Sequence, residues 1–213
     1  MAMATRDKNR SALTAPTRRA FQVALADLGS GQAGYFLAAQ AVAAGIDRFR
    51  LQRFERQGLL ERDSRGLYRL TSYPVTDDAE LWQAVLWPGL RNDKLQAALS
   101  DDTALSLYEV STINPVGVDI TLPKGVRVRR EKPAAYRVRY RDYKPSDLTR
   151  IRGLPTTTLA RALLDLIVDE RALQFVDEAL EAAPQRSLLT SREATTLRAL
   201  RTGDRELLEA MRK

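Results

Sequence analysis

Residues 34–70 constrain the fold more than any other part of the chain. They read GYFLAAQAVAAGIDRFRLQRFERQGLLERDSRGLYRL. A short helix is predicted over 37–44, and Gly45 ends it before a second, basic helix over 48–57. Two apolar runs then flank the turn-forming residues 63–66, which is the pattern of a β-hairpin. This succession predicts a winged helix-turn-helix, a unit that places its second helix in the major groove of DNA.

The basic helix has start and stop signals and two distinct faces. Asp47 is a good N-cap for it, and Gly58 supplies its C-terminal stop. At about 100° per residue, Leu51 and Phe54 share one face and turn towards a core. The remaining face and the hairpin hold the side chains predicted to bind DNA: Arg48, Phe49, Arg50, Gln52, Arg53 and Arg56 on the helix, and Arg62 and Arg65 in the hairpin.

These residue types suit the reading of DNA. Arg can bind guanine through two hydrogen bonds, Gln can pair with adenine, and an aromatic ring can contact the thymine methyl group. Arg50 lies at the margin of the face, where a phosphate contact is expected, and Arg62 and Arg65 would reach the flanking backbone or the minor groove. Two alternatives stay open: a basic helix face that is merely solvated, and a winged helix that contacts only protein.

The charge balance indicates a polyanionic partner, and the composition narrows the possible chemistry. The formal net charge is +7 and the pI is near 9.9, which alone does not separate nucleic acid from a membrane surface. No apolar run approaches the roughly 18 residues of a membrane span, and the N-terminus has no signal-peptide core, so we expect a cytoplasmic protein with no membrane partner. Because the chain has no His and no Cys, zinc fingers, Cys nucleophiles and Ser-His-Asp triads are excluded. We predict no enzyme activity, no catalytic residue, no cofactor and no bound metal.

The chain as a whole is predicted to be an α+β protein. An N-terminal winged helix-turn-helix is followed by a mixed α/β C-terminal domain with a small sheet and terminal helices. The predicted units are a flexible arm over 1–13, the winged helix-turn-helix over 14–75 and the C-terminal domain over 76–213. A strand is predicted over 116–122, and further helices are predicted over 14–28, 79–86, 101–110, 158–168, 172–182 and 193–200 and from 204.

Short motifs in both halves resemble a known family. The first group lies in the winged helix: AVAAGI at 41–46, LQRF at 51–54, GLL at 58–60 and GLY at 66–68. The second group follows further along the chain: ALS at 98–100, TAL at 103–105, LY at 107–108, DITLP at 119–123 and TTLARALLDL at 157–166. In this order they resemble the AbiEi family of antitoxins from type IV toxin–antitoxin systems. Asp101 departs from the family pattern, which has His there, and Leu159 and Ala162 replace its Pro and Thr.

The resemblance implies two roles. The N-terminal domain would repress its own operon at a double-stranded DNA operator made of inverted repeats, with binding as a homodimer left open. The C-terminal domain would counter a cognate toxin of the nucleotidyltransferase class, by direct contact or otherwise. Two alternatives stay open: a stand-alone winged-helix transcription factor with a C-terminal ligand-sensing or interaction domain, and a regulator that modifies the toxin chemically.

A second basic region lies in the C-terminal half. Between 124 and 152, eleven basic residues are opposed by only three acids. Residues 126–129 and 136–141 alternate with period two, which predicts two strands. If the strands pair, one sheet face above an aromatic and aliphatic core carries five arginines: Arg127, Arg129, Arg137, Arg139 and Arg141. This face is expected to bind the DNA backbone, an acidic patch of the toxin or the toxin's nucleic-acid substrate, with a merely solvated face as the alternative.

Other conspicuous features are expected to be structural. Trp82 and Trp87 lie in an apolar segment and are predicted core or interdomain residues. Arg161 and Asp165 stand four residues apart and are predicted to pair on a helix. Residues 29–34 match the glycine pattern G-x-G-x-x-G, but they follow a helix where a dinucleotide site needs a strand, so a plain loop is predicted.

Overall fold

The computed structural model of the protein describes residues 18–204. The arm predicted over 1–13, the helix start at 14–17 and nearly all of the helix predicted from 204 lie outside the described residues. Within the described part, the protein is a mixture of helices and sheets, as predicted for an α+β chain.

The N-terminal part combines helices with a small antiparallel sheet of order β1-β3-β2. Its elements are α1 (Arg18–Ser30), β1 (Tyr35–Leu37), α2 (Ala38–Ala43), α3 (Arg48–Arg56), β2 (Leu60–Ser64) and β3 (Leu67–Leu70). The predicted pair of helices and the predicted hairpin are therefore present. Strand β1 was not predicted; it has only three residues and pairs with β3, with Phe36 opposite Tyr68.

Local signals set the bounds of α3 as the sequence predicts. Gly45 and Gly58 have φ angles of +83° and +71°, a backbone conformation that favours glycine. Oδ1 of Asp47 accepts a hydrogen bond from the backbone N–H of Arg50 at 2.9 Å, which confirms the predicted N-cap. Leu51 and Phe54 are buried, so the predicted inner face of the helix is also confirmed.

The C-terminal part is built on a five-stranded mixed sheet of order β8-β7-β6-β10-β9. The strands of this sheet are β6 (Ala98–Leu99), β7 (Val118–Leu122), β8 (Tyr136–Tyr140), β9 (Leu148–Ile151) and β10 (Leu154–Thr157). Two further strands, β4 (Leu90–Arg91) and β5 (Lys94–Leu95), form a separate hairpin. The helices of the C-terminal part are α4 (Ala79–Leu86), α5 (Asp101–Leu107), α6 (Leu159–Val168), α7 (Leu173–Gln185) and α8 (Ser191–Arg201). The helix over 79–86 is confirmed residue for residue, and the other helices predicted within residues 18–204 are confirmed with shifted ends.

One predicted strand is wrong. Residues 126–129 form an irregular extended segment, and β8 pairs in parallel with β7 instead. Val126 and Val128 pack against the core while Arg127 and Arg129 are exposed. The alternation of valine and arginine therefore reflects side chains that face the core and the solvent in turn. It does not reflect a strand that is hydrogen-bonded to a neighbouring strand.

Three hydrophobic clusters hold the layers together. The first joins α1 and α3 to the β2–β3 hairpin. The second lies between α4 and the five-stranded sheet; it contains Trp82 and Trp87, and it also takes in Tyr35, Leu37 and Leu67 from the N-terminal part. The third lies among α5, α6, α7 and α8. Within residues 18–204, every helix falls short of the length and apolar character that crossing a membrane requires.

Candidate nucleic-acid interface

The outer face of α3 is open to solvent. The ring of Phe49 is 83% exposed, and Gln52, Arg53 and Arg56 beside it are exposed as well. Arg56 donates a hydrogen bond from Nε to the backbone oxygen of Gln52 at 3.4 Å. None of the arginines on this face pairs with a carboxylate in the part of the chain that the structure describes. The face predicted to read bases is thus presented as a continuous basic surface with one aromatic ring.

Arg50 differs from the other arginines of α3. Its Nη1 lies 2.9 Å from Oδ2 of Asp47, and its guanidinium carbon stands 4.4 Å from the centroid of the Phe21 ring. The side chain therefore ties the start of α3 to α1 through an ion pair and a cation–π contact. This engagement argues against the phosphate contact predicted for Arg50.

The β2–β3 hairpin is joined to α4 through Asp63. Gln83 donates from Nε2 to Oδ1 of Asp63 at 2.7 Å and to the hydroxyl oxygen of Tyr35 at 2.9 Å. Burial raises the pKa of Asp63, and the hydrogen bond from Gln83 opposes that rise. Arg62 and Arg65 stay exposed on either side of this anchor. The sequence predicted Asp63 only as a turn residue, because its partner Gln83 lies twenty positions away.

A cleft of about 1080 Å³ opens between the start of α3, the hairpin tip and the segment 129–133. Five arginines line it: Arg48, Arg62, Arg65, Arg129 and Arg130. The acids in its lining are Asp63 and Glu131. Nη1 of Arg130 donates to the backbone oxygen of Trp87 at 3.1 Å. Burial and the nearby charge of Arg65 both lower the pKa of Arg130, as expected where cations are crowded together.

The arginines of β8 form internal ion pairs. Arg137 lies 2.6 Å from Asp119 and 3.3 Å from Asp102, and Arg141 lies 3.2 Å from the buried Asp101. They belong to a group that we call the ionic layer: Asp101, Asp102, Asp119, Asp165 and Asp169 with Arg137, Arg139, Arg141, Arg161 and Arg171.

The ionic layer argues against the anion-binding face predicted for β8, which stays a prediction. Arg137 and Arg139 do share one face of the strand with Arg141, while Tyr136 and Val138 pack on the other side. Carboxylates from α5, β7 and α6 already pair with the arginines of that face, so its charge is largely compensated within the molecule. The sequence did not reveal this because the paired residues are 18 to 40 positions apart.

Two members of the ionic layer have unusual surroundings. Asp119 is fully buried, and burial raises its pKa to about 6 although Arg137 opposes the rise. Asp101, at the position where the sequence departs from the family pattern, is also fully buried and has a φ angle of +49°. Ser100 donates from Oγ to Oδ2 of Asp101 at 2.7 Å. The predicted pair of Arg161 and Asp165 is confirmed at 2.5 Å within the same layer.

One comparison with known proteins agrees with the resemblance in the N-terminal part. Residues 24–71, from α1 to just past the end of β3, match the family model described as transcriptional regulator, AbiEi antitoxin. Among solved structures, the RV2827C protein from Mycobacterium tuberculosis is similar at 14% identity and a TM-score of 0.47, over 90% of this chain and 80% of that chain. The search of curated proteins found no matching relative. The family read from the sequence motifs is thereby confirmed for residues 24–71: they match the AbiEi antitoxin family of transcriptional regulators.

Proposed function

We propose that the protein is a cytoplasmic DNA-binding antitoxin that represses its own operon and neutralises a partner nucleotidyltransferase toxin. Residues 14–75 would be the winged helix-turn-helix and residues 76–213 the antitoxin domain. The match of residues 24–71 to an antitoxin regulator family supports this proposal. The order of α2, α3 and the β2–β3 hairpin supports it independently.

The observation that carries the proposal is the outer face of α3. An aromatic ring that is 83% exposed among arginines contributes nothing to the core, whereas a ring at that place can meet a thymine methyl group in the major groove. Gln52, Arg53 and Arg56 would contact base edges, and Arg48 would contact a phosphate near the helix start. Arg62 and Arg65 on the hairpin would contact the flanking backbone or the minor groove. Inverted repeats in the operator would be read by two copies of the chain.

DNA binding is tested with a duplex from the region upstream of the protein's own gene and a shuffled duplex of equal length. Arg53→Ala and Arg56→Ala should each weaken binding to the upstream duplex by about 1–3 kcal/mol, roughly 5- to 150-fold, and relax the preference over the shuffled one. Arg192→Ala, an exposed arginine on α8, is the matched control and should bind as the unmodified protein does. Unchanged affinity and preference in both α3 variants would rule out base reading by this face.

The antitoxin role needs a separate measurement. The neighbouring reading frame is expressed with and without this protein, and rescue of growth is scored. If that frame is not toxic, or if its toxicity is unaffected by this protein, the antitoxin half of the proposal is wrong while the DNA-binding half can still stand.

A further inference from the structure

The cleft between the two halves of the molecule brings the segment 129–133 beside the helix and hairpin assigned to DNA. Arg48 enters the cleft from the start of α3, Arg62 and Arg65 enter from the hairpin, and Arg129 enters from the opposite wall. These four side chains are exposed, and none of them pairs with a carboxylate within residues 18–204. They are therefore charged groups without an internal partner, which distinguishes them from the arginines of the ionic layer.

The hairpin turn and the opposite wall are in close proximity. A Cβ atom added to Gly66 at the hairpin turn would lie 3.4 Å from Nη2 of Arg130. Arg130 is itself held by its hydrogen bond to the backbone oxygen of Trp87, at the C-terminal end of α4. The wall is thus tied to α4, to which the hairpin is also joined through the hydrogen bond between Gln83 and Asp63.

The charge of the cleft is only partly compensated, because its lining contains five arginines and two acids. Like charges held this close together disfavour the folded chain, and a row of phosphates removes that cost. DNA carries phosphates at regular spacing along each strand, and arginines that contact them position the protein without reading sequence.

We propose that Arg129 and Arg130, from the second half of the chain, contact the phosphate backbone of the same DNA that α3 and the hairpin bind. One backbone strand of the duplex then runs along the mouth of the cleft, and the second half of the molecule contributes affinity that is independent of base sequence. This inference rests on the proposed DNA binding, and it adds a contact surface that lies outside the segment 24–71.

Salt titration of DNA binding tests the inference on the full chain. Binding of the upstream duplex and the shuffled duplex is measured by fluorescence anisotropy over a series of KCl concentrations. Arg129→Gln should weaken binding to both duplexes by the same factor, about 3- to 10-fold, and should reduce the slope of log K against log[KCl] by about 0.9, as the loss of one phosphate contact does. Arg129→Lys keeps the charge and should retain the slope.

Arg192→Gln on α8 removes the same charge from an exposed site away from the cleft and should leave the slope unchanged. If Arg129→Gln binds both duplexes with the slope of the unmodified protein, the inference is overturned, while DNA binding by α3 stands. If Arg129→Gln impairs only neutralisation of the toxin, the cleft serves a protein partner and the inference is likewise overturned. If the unmodified protein binds neither duplex, both proposals fall together.

Discussion

The carboxyl group of Asp119 is buried and lies beside the guanidinium of Arg137. Its Oδ2 lies 2.6 Å from Nη2 of Arg137, but its Oδ1 is buried without a hydrogen-bond partner. Burial disfavours the charged form, and the ion pair only partly offsets that penalty, so the pKa rises from 3.8 to about 6. The folded state therefore binds the proton more tightly than the unfolded chain does.

The raised pKa predicts a pH dependence of stability. The stabilisation that the proton provides at Asp119 is complete below pH 3.8 and is lost as the pH rises through about 6. Asp119→Asn does not titrate and keeps an oxygen for Arg137. Between pH 4 and pH 7, the unfolding free energy of the unmodified protein should thus fall relative to that of Asp119→Asn, by about 2–3 kcal/mol. Urea unfolding of both proteins across this range measures the difference; a constant difference contradicts the prediction.

At the scale of an element, the N-terminal end of α3 is set by one residue, Asp47. Asp47 caps the helix through the N–H of Arg50 and also pairs with the guanidinium of Arg50. The cap fixes the backbone from which Arg48 and Phe49 project. Loss of the cap would therefore affect both the stability of the protein and the presentation of the face assigned to DNA.

Asp47→Ala should lower the unfolding free energy by about 1 kcal/mol, because the N–H of Arg50 loses its acceptor. Asp47→Ser retains a capping oxygen but loses the ion pair with Arg50, and it should recover most of this loss, since exposed ion pairs contribute little. Chemical unfolding of the three proteins compares them. Equal destabilisation by Ala and Ser would instead assign the effect to the ion pair.

The elements that the sequence predicted are those with local signals. Gly45, Asp47 and Gly58 each influence the backbone within a few residues. From them the bounds of α3 were predicted almost residue for residue. Strand β6 has only two residues and gains its partners, β7 and β10, from distant parts of the chain, so no local pattern marks it. Strands β9 and β10 pair with each other across the turn at 152–153, but they have only four residues each and were not predicted. The same reason explains the ionic layer: the alternation in β8 predicted which side chains share a face, but not the carboxylates that meet them.

At the scale of the whole molecule, the N-terminal sheet and the C-terminal sheet share one hydrophobic cluster. Tyr35, Leu37 and Leu67 lie in the same cluster as Trp82 and Val118. The hydrogen bonds from Gln83 to Asp63 and Tyr35 join the same two parts. The two functional halves proposed for the chain are therefore in direct contact with each other.

A shared core predicts that both halves unfold together. Leu37→Ala in β1 should destabilise the protein by about 2–5 kcal/mol, the usual cost of truncating a buried leucine. The transition seen by fluorescence of Trp82 and Trp87, which lie outside the N-terminal part, should shift as far as the transition seen by circular dichroism. Val42→Ala, at an exposed position of α2, is the control and should shift neither by more than about 0.5 kcal/mol. Two separate transitions would show independent domains.

The candidate site was predictable to the extent that it lies on one helix and one hairpin. Helical periodicity placed Phe49, Gln52, Arg53 and Arg56 on the outside of α3. The cleft could not be predicted in this way, because Arg129 joins the hairpin only through the packing of α4 and the five-stranded sheet. The same packing separates the five arginines that were predicted to share one sheet face: three lie in the ionic layer, whereas Arg127 and Arg129 stay exposed.

The ionic layer also affects the electrostatic potential that surrounds the protein. With equal numbers of aspartates and arginines it is neutral as a body, so its field largely cancels beyond its own surface. The surplus of seven positive charges is consequently carried by the other charged side chains. Their potential extends over about 8 Å at physiological ionic strength, and such potentials accelerate diffusional encounter with a polyanion. The neutral layer thus leaves the other charged side chains as the source of the long-range attraction that a polyanion would experience before contact.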